Sequence, residues 1–153
     1  MNLDIEKDNY RFNARASVVI YNKDKTKVLL FKIIDRDYFM LPGGRIEFFE
    51  DSKSAIKREI KEETGFDLEY ELCSIQENFV EKGNKKIMQY CFCYKSVYNE
   101  DIIQEEFICN DNKTQRFYWI DINDLQNYKL LPNSTYALIK NSENIIHIIE
   151  KSY

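Results

Sequence analysis

The stretch from Gly43 to Phe66 constrains this chain more than any other part of it. It reads GGRIEFFEDSKSAIKREIKEETGF, with two glycines, a loop, a charged segment and a closing glycine. Asp51 and Ser52 are both good helix N-cap residues, and Gly65 sits where a helix commonly ends in a left-handed C-cap. The segment between them contains no proline or glycine and consists mostly of good helix formers. It therefore predicts a helix with a loop on each side.

The predicted helix divides its side chains among three faces. Successive residues of an α-helix turn by roughly 100°, so Glu59, Glu62 and Glu63 project from one side. Ile56 and Ile60 form an adjacent apolar stripe that can pack inward, and lysines occupy the far face. The three glutamates are therefore expected at the border between the core and the solvent.

Three carboxylates at this spacing repel one another, and the repulsion grows where they are shielded from water. Two kinds of positive partner can hold them together. One is Arg58 on the same helix, and the other is a hard divalent cation such as Mg²⁺, which prefers carboxylate oxygens and shares its shell with substrate phosphates. On the helix alone, a solvated acidic face with lysine–glutamate pairs is the simpler interpretation.

The whole stretch changes that interpretation, because it fits the pattern G-x5-E-x7-R-E-U-x-E-E-x-G-U, where U is a bulky aliphatic or aromatic residue. The matching residues are Gly44, Glu50, Arg58, Glu59, Ile60, Glu62, Glu63, Gly65 and Phe66. At ordinary residue frequencies such a match arises by chance less than about once in 10⁸ starting points. The stretch resembles the Nudix box, the signature of the Nudix hydrolases. The preceding Leu41-Pro42-Gly43 resembles the usual lead-in to that box.

The resemblance implies a function and a set of residues that perform it. Nudix hydrolases cleave a diphosphate bond in a nucleoside diphosphate linked to another group, and the implied cofactor is Mg²⁺ or Mn²⁺. The implied metal ligands are the Gly43 carbonyl, Glu59, Glu62 and Glu63. Glu59 and Glu62 are also implied catalytic residues, together with Arg58, which would orient Glu59 by a charge-assisted hydrogen bond. The chain is therefore expected to be a pyrophosphohydrolase that acts on a small nucleotide.

Other residues in and before the box are expected to shape the site. Gly44 and Gly65 would permit backbone turns that a side chain obstructs, and Glu50 would order the loop or serve a second metal. Arg45 directly follows the glycines and is a candidate for binding substrate phosphates. Arg36 is a second candidate, for which an exposed surface role agrees equally well with the sequence.

The general base is less well defined by the resemblance. Many Nudix hydrolases carry a further glutamate a few residues before a late tryptophan, whereas this chain has Thr114-Gln115-Arg116 there. The base is then either Glu59 in the box, or Glu105 or Glu106 on an acidic loop. Glu59 is preferred, because a base held on a helix is better positioned than one on a loop. Glu77 is a further outlying carboxylate.

The order of predicted elements indicates an α+β fold in a single domain spanning residues 1–153. Strands are predicted within 12–21, 27–34, 38–41, 68–80, 87–97, 107–108, 116–120 and 145–149, and a second helix within 132–140. The family resemblance implies an α/β/α sandwich with a mixed β-sheet, in which the box forms a loop–helix–loop. Residues 1–11 are polar and are expected to form a loosely held lead.

Charge and composition argue against several functional classes. The chain has a net charge of −4 and no basic run, which argues against a duplex nucleic-acid partner. No apolar run approaches membrane-spanning length, and the polar N-terminus does not read as a secretion signal. The four cysteines include no CxxC pair, so buried free thiols and a cytoplasmic setting are expected. The sequence leaves open whether the chain forms a homodimer.

Two other functional classes are compatible with the same fold. A nucleotide-sensing module that has lost catalysis should show a broken glutamate set, whereas this set is intact. A diphosphate-isomerising enzyme should show an altered box and a reactive cysteine near the pocket. No auxiliary motif marks a particular nucleotide, so the sequence does not specify the substrate.

Overall fold

The computed structural model describes residues 1–141 and 144–152 of the chain. The strands in these ranges are β1 (Asp4–Lys7), β2 (Tyr10–Asn22), β3 (Lys27–Ile33), β4 (Gly43–Arg45), β5 (Glu71–Lys82), β6 (Lys85–Tyr98), β7 (Glu106–Ile108), β8 (Gln115–Asp121) and β9 (Ile146–Ser152). The α-helices are α1 (Ser52–Thr64) and α2 (Thr135–Lys140), and a 3₁₀ helix spans Ile122–Asn127. None of the helices in these ranges is long and apolar enough to cross a membrane.

The strands form one mixed sheet. Its order is β7-β8-β3-β2-β6-β5-β9, and β1 and β4 also pair with β2. The β2/β6 and β5/β9 pairs are parallel, and the remaining pairs are antiparallel. Every residue from Tyr10 to Asn22 in β2 pairs with β6, so these two long strands form the centre of the sheet.

The two helices pack on opposite faces of this sheet. Neighbouring residues of a strand point to opposite faces, and Val18 packs in the hydrophobic cluster of α1 whereas Val19 packs in that of α2. Ile56 and Ile60 of α1 are fully buried in the first cluster, and Leu138 of α2 is buried in the second. This arrangement confirms the predicted α+β sandwich with a mixed sheet.

The N-terminal segment belongs to the sheet and is not the loosely held lead that its polarity predicts. β1 pairs with the beginning of β2. The Arg11 guanidinium donates hydrogen bonds of 2.8 and 2.7 Å to the Asp4 carboxylate, and Arg45 reaches the same carboxylate at 2.5 Å. The bonds from Arg11 are the main cause that holds the pKa of Asp4 below its usual value. Composition alone missed this strand because it is held by charge pairs and not by apolar side chains.

The short strand predicted at 38–41 also differs in the structure. Phe39 and Met40 make only isolated bridges, and the regular strand at this point is β4, which pairs with β2. Glycine allows the two backbones to approach closely, since a β-carbon on Gly43 would lie 2.1 Å from the Ala16 carbonyl oxygen. The strand therefore forms at the two glycines, where the sequence pattern predicts a loop.

Candidate active site

Of the two N-cap residues that the sequence offers, Asp51 and Ser52, helix α1 uses Asp51, and the helix ends at Gly65 as predicted. The Asp51 side chain accepts a hydrogen bond of 2.8 Å from the Ser54 N–H and so caps the N-terminus. Gly65 ends the helix with a left-handed φ of 79°, and its N–H donates to the Lys61 carbonyl at 3.0 Å. The caps fix which residues turn towards the sheet, and the Glu59 side chain reaches β4.

Arg58 joins the box loop to the glutamates of the helix. Its Nε and Nη2 atoms donate to the two carboxylate oxygens of Glu50 at 2.8 and 2.9 Å. Nη1 donates to Glu59 at 2.8 Å and lies 3.6 Å from Glu62, and Nη2 also reaches the Arg45 carbonyl at 3.1 Å. The hydrogen bonds from Arg58 lower the pKa of Glu50 and keep it charged. One guanidinium thus fixes the loop and the helix relative to each other.

The Glu59 carboxylate lies directly against Gly44 of β4. A β-carbon built on Gly44 would stand 2.1 Å from Cδ and 2.3 Å from Oε2 of Glu59. No real side chain fits such a gap, so the absence of one on Gly44 is what admits the carboxylate. Glu59 is therefore enclosed between the glycine backbone and the Arg58 guanidinium.

The other two box glutamates differ in their exposure to solvent. Glu63 is buried, with 8% of its surface exposed, whereas 49% of the Glu62 side chain is exposed. Burial, together with the charges of Glu59 and Asp111, raises the pKa of Glu63 to about 8. Burial also raises the pKa of Glu59, although Arg58 opposes that shift. Two carboxylates are thus held in a poorly solvated place with too little positive charge around them.

A loop between β7 and β8 brings a further carboxylate towards the box. The Asn110 N–H donates to the Glu63 carbonyl at 2.8 Å, and the Cys109 thiol donates to Asp111 at 3.0 Å. The electrostatic effect of Asp111 contributes to the raised pKa of both Glu59 and Glu63. The sequence reasoning missed Asp111. The feature of the sequence that could have indicated Asp111 is its position as an acidic residue in the loop before β8, the strand that contains Trp119.

The two acidic-loop residues proposed from sequence as alternative bases have other partners. Lys27 donates to Glu105 at 3.0 and 3.1 Å, and Arg116 lies 3.5 Å from Glu106 across the β7/β8 pair. These ion pairs hold the Glu106 side chain beside β8 and the Glu105 side chain, which precedes β7, beside β3. Of the acidic residues in this part of the chain, Asp111 is the one whose charge acts on the buried box glutamates.

Glu77, the outlying carboxylate, pairs with the single histidine of the chain. The His147 Nε2 atom lies 2.6 Å from Glu77 Oε2, and 59% of the His147 side chain is exposed. The contact joins the parallel strands β5 and β9 at the edge of the sheet. Both residues are therefore explained by the packing of β9.

Of the two arginines expected to bind phosphate, one forms an ion pair and the other is exposed to solvent. The Arg45 guanidinium is engaged by Asp4 at 2.5 Å, and Arg36 is exposed in the turn after β3. The sequence reasoning missed Arg15, which projects from β2, lines a cavity and acts to lower the pKa of Glu63. No motif marks Arg15, since it lies within an ordinary strand pattern and only the fold brings it to the site.

A cavity of about 60 Å³ lies on the α2 side of the sheet. Its lining residues are Arg15, Ser17, Met40, Leu41, Gln76, Asn78, Gln89, Cys91, Leu131, Pro132, Thr135 and Leu138. Three of these are side-chain amides on the neighbouring strands β5 and β6. The wall formed by the sheet is thus unusually polar for the interior of a protein.

Part of this polar wall lacks a hydrogen-bond partner. Among the described residues, none bonds the buried Asn78 Oδ1 atom or the buried Thr135 Oγ1 atom. Ser134, at the N-cap position of α2, makes no capping bond, and its hydroxyl lies 3.4 Å from Gln76 Oε1 instead. Buried polar atoms are normally paired, so these atoms are suited to a ligand or to water.

The box loop contains one strained residue. A hydrogen bond of 3.2 Å from the Glu50 N–H to the Glu47 carbonyl closes a tight turn. Phe49, the third residue of this turn, has a φ of 65°. That conformation costs a residue with a β-carbon about 1–2 kcal/mol, and turns of this kind usually select glycine. The turn is held by a 3.0 Å bond from the Glu47 N–H to the Glu50 carboxylate and by a 2.9 Å bond from the Phe48 N–H to the Met1 carbonyl.

A family model describing the NUDIX domain matches residues 11–141 of this chain. The chain belongs to the Nudix family. The match runs from β2 through α2, so it includes the box, the Asp111 loop and the cavity. It confirms the resemblance carried by the box, and the relatives support a Nudix-type pyrophosphohydrolase as the class of enzyme.

Two relatives by sequence and one by structure illustrate this membership. The chain is 28% identical over 116 residues to the uncharacterized Nudix hydrolase YvcI of Bacillus subtilis (strain 168), covering 73% of this chain and 69% of that protein. It is 41% identical over 66 residues to an RNA pyrophosphohydrolase of Ruthia magnifica subsp. Calyptogena magnifica, covering 43% of this chain and 35% of that protein. The MutT protein of Bacillus halodurans has a similar structure, with a TM-score of 0.69, 18% identity, and 88% and 89% of the two chains covered. At this identity the structural likeness shows the fold alone.

The donor atoms of the Nudix box suit a hard divalent cation. Carboxylate oxygens are the preferred ligands of Mg²⁺, and burial raises the pKa of both the half-buried Glu59 and the buried Glu63. Within residues 1–141 and 144–152, no group of three or more histidine, cysteine or acidic side chains is arranged to hold a metal ion. Mg²⁺ does not require such a cage, because it usually keeps several waters and binds through few carboxylates. The residues present therefore fit Mg²⁺ or Mn²⁺ bound together with water.

Proposed function

We propose that this Nudix chain hydrolyses a diphosphate bond in a small nucleoside diphosphate derivative, with Mg²⁺ or Mn²⁺ bound at the box glutamates. One observation carries the proposal: Glu59 and Glu63 are held together in a poorly solvated place, with raised pKa values, beside the glycines of β4. A divalent cation supplies the charge that these carboxylates lack. The name of one relative, an RNA pyrophosphohydrolase, supports the same class of reaction.

In this proposal several residues of the box bind the metal together. Glu59, Glu62, Glu63 and the Gly43 carbonyl would hold it, and of these glutamates Glu63 is buried and Glu62 is half exposed. When bound, the metal neutralises the diphosphate oxygens and lowers the pKa of a bound water. Arg58 is a positioning residue, because its two hydrogen bonds to Glu50 fix the guanidinium that orients Glu59.

The proton of the attacking water passes to a carboxylate of the chain. Glu59 is the preferred acceptor, since Arg58 and the Gly44 backbone hold it in one place on a rigid helix. Asp111 is the second candidate, because its loop is bonded to the Glu63 carbonyl through Asn110. The glutamates considered from the sequence, Glu105 and Glu106, rank below it in this proposal because each forms an ion pair, with Lys27 and Arg116 respectively.

The polar wall of the cavity is suited to contact the edge of the substrate's base, although a volume of about 60 Å³ does not enclose a whole nucleoside. Gln76, Asn78 and Gln89 present amide groups, which can both donate to and accept from the edge of a base. Arg15 lines the cavity and its charge acts to lower the pKa of Glu63, so we expect its guanidinium to contact a phosphate of the substrate. A nucleotide bound in this way would extend its phosphates from the cavity towards the box.

A panel of nucleotides tests the proposal directly. Nucleoside triphosphates, nucleotide sugars and dinucleoside polyphosphates are incubated with the protein and Mg²⁺ or Mn²⁺, and the products are identified by mass. The expected result is cleavage within a diphosphate bond that requires the metal and is lost in Glu63→Gln. Tight nucleotide binding with no turnover in any condition would favour the alternative, a nucleotide-sensing module.

We also propose that the enzyme works in the cytoplasm. All four cysteines, Cys73, Cys91, Cys93 and Cys109, are buried free thiols. Free thiols persist where the compartment is reducing. Localisation of the tagged protein in its source cell tests this, and recovery outside the cytoplasm would contradict it.

A further inference from the structure

Helix α1 is too short to cover its whole face of the sheet. Its 13 residues make a helix about 20 Å long, whereas the 13 residues of β2 span about 43 Å as an extended strand. A pocket of about 580 Å³, which we call the end pocket, is lined by β1, by the beginning of β2 and by the ends of β5 and β6 that meet at their turn. Pockets of about 300–1,000 Å³ are the size class that binds small molecules.

A row of apolar side chains across four strands forms the floor of the end pocket. Each member is the cross-strand partner of the next, in the order Ile5, Phe12, Met88 and Phe79. Paired residues of neighbouring strands lie on the same face of a sheet, and Phe12 packs against the hydrophobic cluster of α1. All four line the pocket, and all are at least partly exposed. The floor therefore offers apolar surface that a ligand can remove from water.

The next row outwards forms a charged rim. Its members lie two residues further along the same four strands and are Lys7, Tyr10, Lys86 and Glu81. They share the face of the apolar row, because side chains alternate along a strand with a period of two. Lys86 lies 3.9 Å from Glu81, and the carboxylate next to Lys7 in β1, that of Glu6, pairs with Lys85. Two ammonium groups and one carboxylate give the rim a net positive charge, in a chain whose net charge is −4.

The combination of floor and rim limits what can occupy the end pocket. Recognition of an anionic membrane surface usually takes a cluster of about four to eight lysines and arginines, which exceeds the two lysines of this rim. A purely apolar ligand would leave the positive charge of the rim without a partner. A molecule with an apolar chain and one negative group matches both rows, since its chain covers the floor while its anion meets the ammonium groups.

We propose that the end pocket binds a small amphipathic anion of the class of a medium-chain carboxylate. The chain lies on the apolar row, and the carboxylate contacts Lys7 and Lys86 at the rim. None of the described residues that line the pocket belongs to the Nudix box. This ligand site therefore goes beyond the proposed function and does not depend on it.

Titration calorimetry of the full chain with three probes of the same chain length tests the inference. Octanoate is the anion, octanol is neutral and octylammonium is the cation. Octanoate should bind about fivefold more tightly than octanol, which is the size of an ion-pair contribution at an exposed site, and octylammonium should bind more weakly than octanol. Decanoate should bind more tightly than octanoate by up to about fifteenfold, because two more CH₂ groups are buried.

Lys7→Gln combined with Lys86→Gln tests the role of the rim. The double variant should bind octanoate and octanol equally, because the two ammonium groups are gone. Lys53→Gln combined with Lys113→Gln is the matched control, since it removes the same charge from two exposed lysines outside the pocket. This control should keep the fivefold preference for octanoate.

Met88→Asp tests the role of the floor, because it places a carboxylate in the middle of the apolar row. It should weaken octanoate binding at least about tenfold, through like-charge repulsion and lost apolar contact. Ile5→Asp makes the same change at the end of the row, where the side chain is 50% exposed and the substitution disturbs the fold least. Thermal unfolding of both variants shows which of them is folded and can be compared with the wild type.

Several results would overturn the inference. Equal affinity for the three probes would do so, as would the absence of saturable binding below the micelle concentration of decanoate. A wild-type dimer in sedimentation that Met88→Asp dissociates would show that a second copy covers the floor instead. Binding to phosphatidylglycerol vesicles that the rim double variant loses would show a membrane contact instead. Octanoate should bind equally well in EDTA and to Glu63→Gln, and dependence on either would place the probe at the box.

Discussion

The Glu59 carboxylate packs so closely on Gly44 that a β-carbon on the glycine would lie 2.1 Å from Glu59 Cδ. Arg58 holds the same carboxylate from another side with a 2.8 Å hydrogen bond. Gly44 and Arg58 are separated in sequence by the whole box loop and half of the helix, yet both contact the carboxylate of Glu59. The position of Glu59 is therefore set by the backbone of β4 as much as by its own helix.

Gly44→Ala should displace the Glu59 carboxylate and lower kcat at least about a hundredfold while the protein stays folded. The fold survives because the atoms that must move are the end of a flexible side chain. Activity at saturating Mg²⁺ and the far-UV circular dichroism spectrum are the measurements. Gly83→Ala is the control, since a β-carbon on Gly83 meets nothing within 4 Å; unlike Gly44, Gly83 has a left-handed φ of 59°, so its substitution strains the backbone without displacing a side chain. Normal turnover in Gly44→Ala would contradict the importance of this contact.

Glu62→Gln and Glu63→Gln should each lower turnover at least about a hundredfold, because each removes a charged oxygen from the metal shell. Excess EDTA should abolish activity reversibly, and Mg²⁺ or Mn²⁺ should restore it. Metal affinity is measured by titration calorimetry beside the kinetics, with the exposed Glu100→Gln as the control. Near-normal rates in either box variant at saturating Mg²⁺ would exclude that residue as a ligand.

The metal-free protein should lose stability as the pH rises towards and through about 8, because the pKa of Glu63 is raised from 4.5 to about 8. The folded state then binds a proton that the unfolded state has released, so this contribution is complete below 4.5 and disappears above 8. Tm measured in EDTA across this range should fall, and Glu63→Gln should flatten the curve. Added Mg²⁺ should restore Tm at high pH. A wild-type curve as flat as that of the variant would refute the assignment.

Glu59→Gln should lose turnover without a matching loss of substrate binding if Glu59 is the general base. Asp111→Asn tests the second candidate, and Glu105→Gln serves as the control because its ion pair with Lys27 places it elsewhere. Single-turnover rates and the pH dependence of kcat are measured for all three. The base is Asp111 if its variant loses the acidic limb of the pH profile while Glu59→Gln retains it.

Arg15→Gln should raise KM for nucleotides about tenfold, because a charged hydrogen bond to phosphate contributes roughly 1.5–3 kcal/mol. Arg36→Gln is the matched control, since Arg36 is exposed in the turn after β3 and should leave KM unchanged. Thermal unfolding of both variants shows whether the fold is preserved. A larger effect at Arg36 than at Arg15 would reverse the assignment of the phosphate-binding arginine.

The helix of the box could be predicted because the interactions that define it are local. The Asp51 side chain accepts a hydrogen bond from the N–H of Ser54, three residues later. The N–H of Gly65 donates to the carbonyl of Lys61, four residues earlier. The helical period alone places Glu59 and Glu63 on one face, and it separates that face from the lysines. Caps, period and box spacing are all contained within one short stretch of chain, so they require no knowledge of the rest of the fold.

Residues far from the box in sequence could not be predicted in this way. Asp4 of β1 pairs with Arg11 and Arg45, so the Arg45 guanidinium has an acidic partner from a distant part of the chain. Asp111 and Glu105 look alike in the sequence, and only the path of the loop between β7 and β8 turns the first towards the box. Such choices depend on contacts between distant segments.

The sequence by itself determined the family, the box helix and which glutamates share a face, because these follow from local hydrogen bonding and periodicity. The tertiary structure decided that Glu63 is buried while its neighbour Glu62 is half exposed. It also decided that Arg15 faces the cavity and that Phe49 stands in solvent at a strained φ. Burial and strain are set by the elements packed around a residue, and those elements come from other parts of the chain.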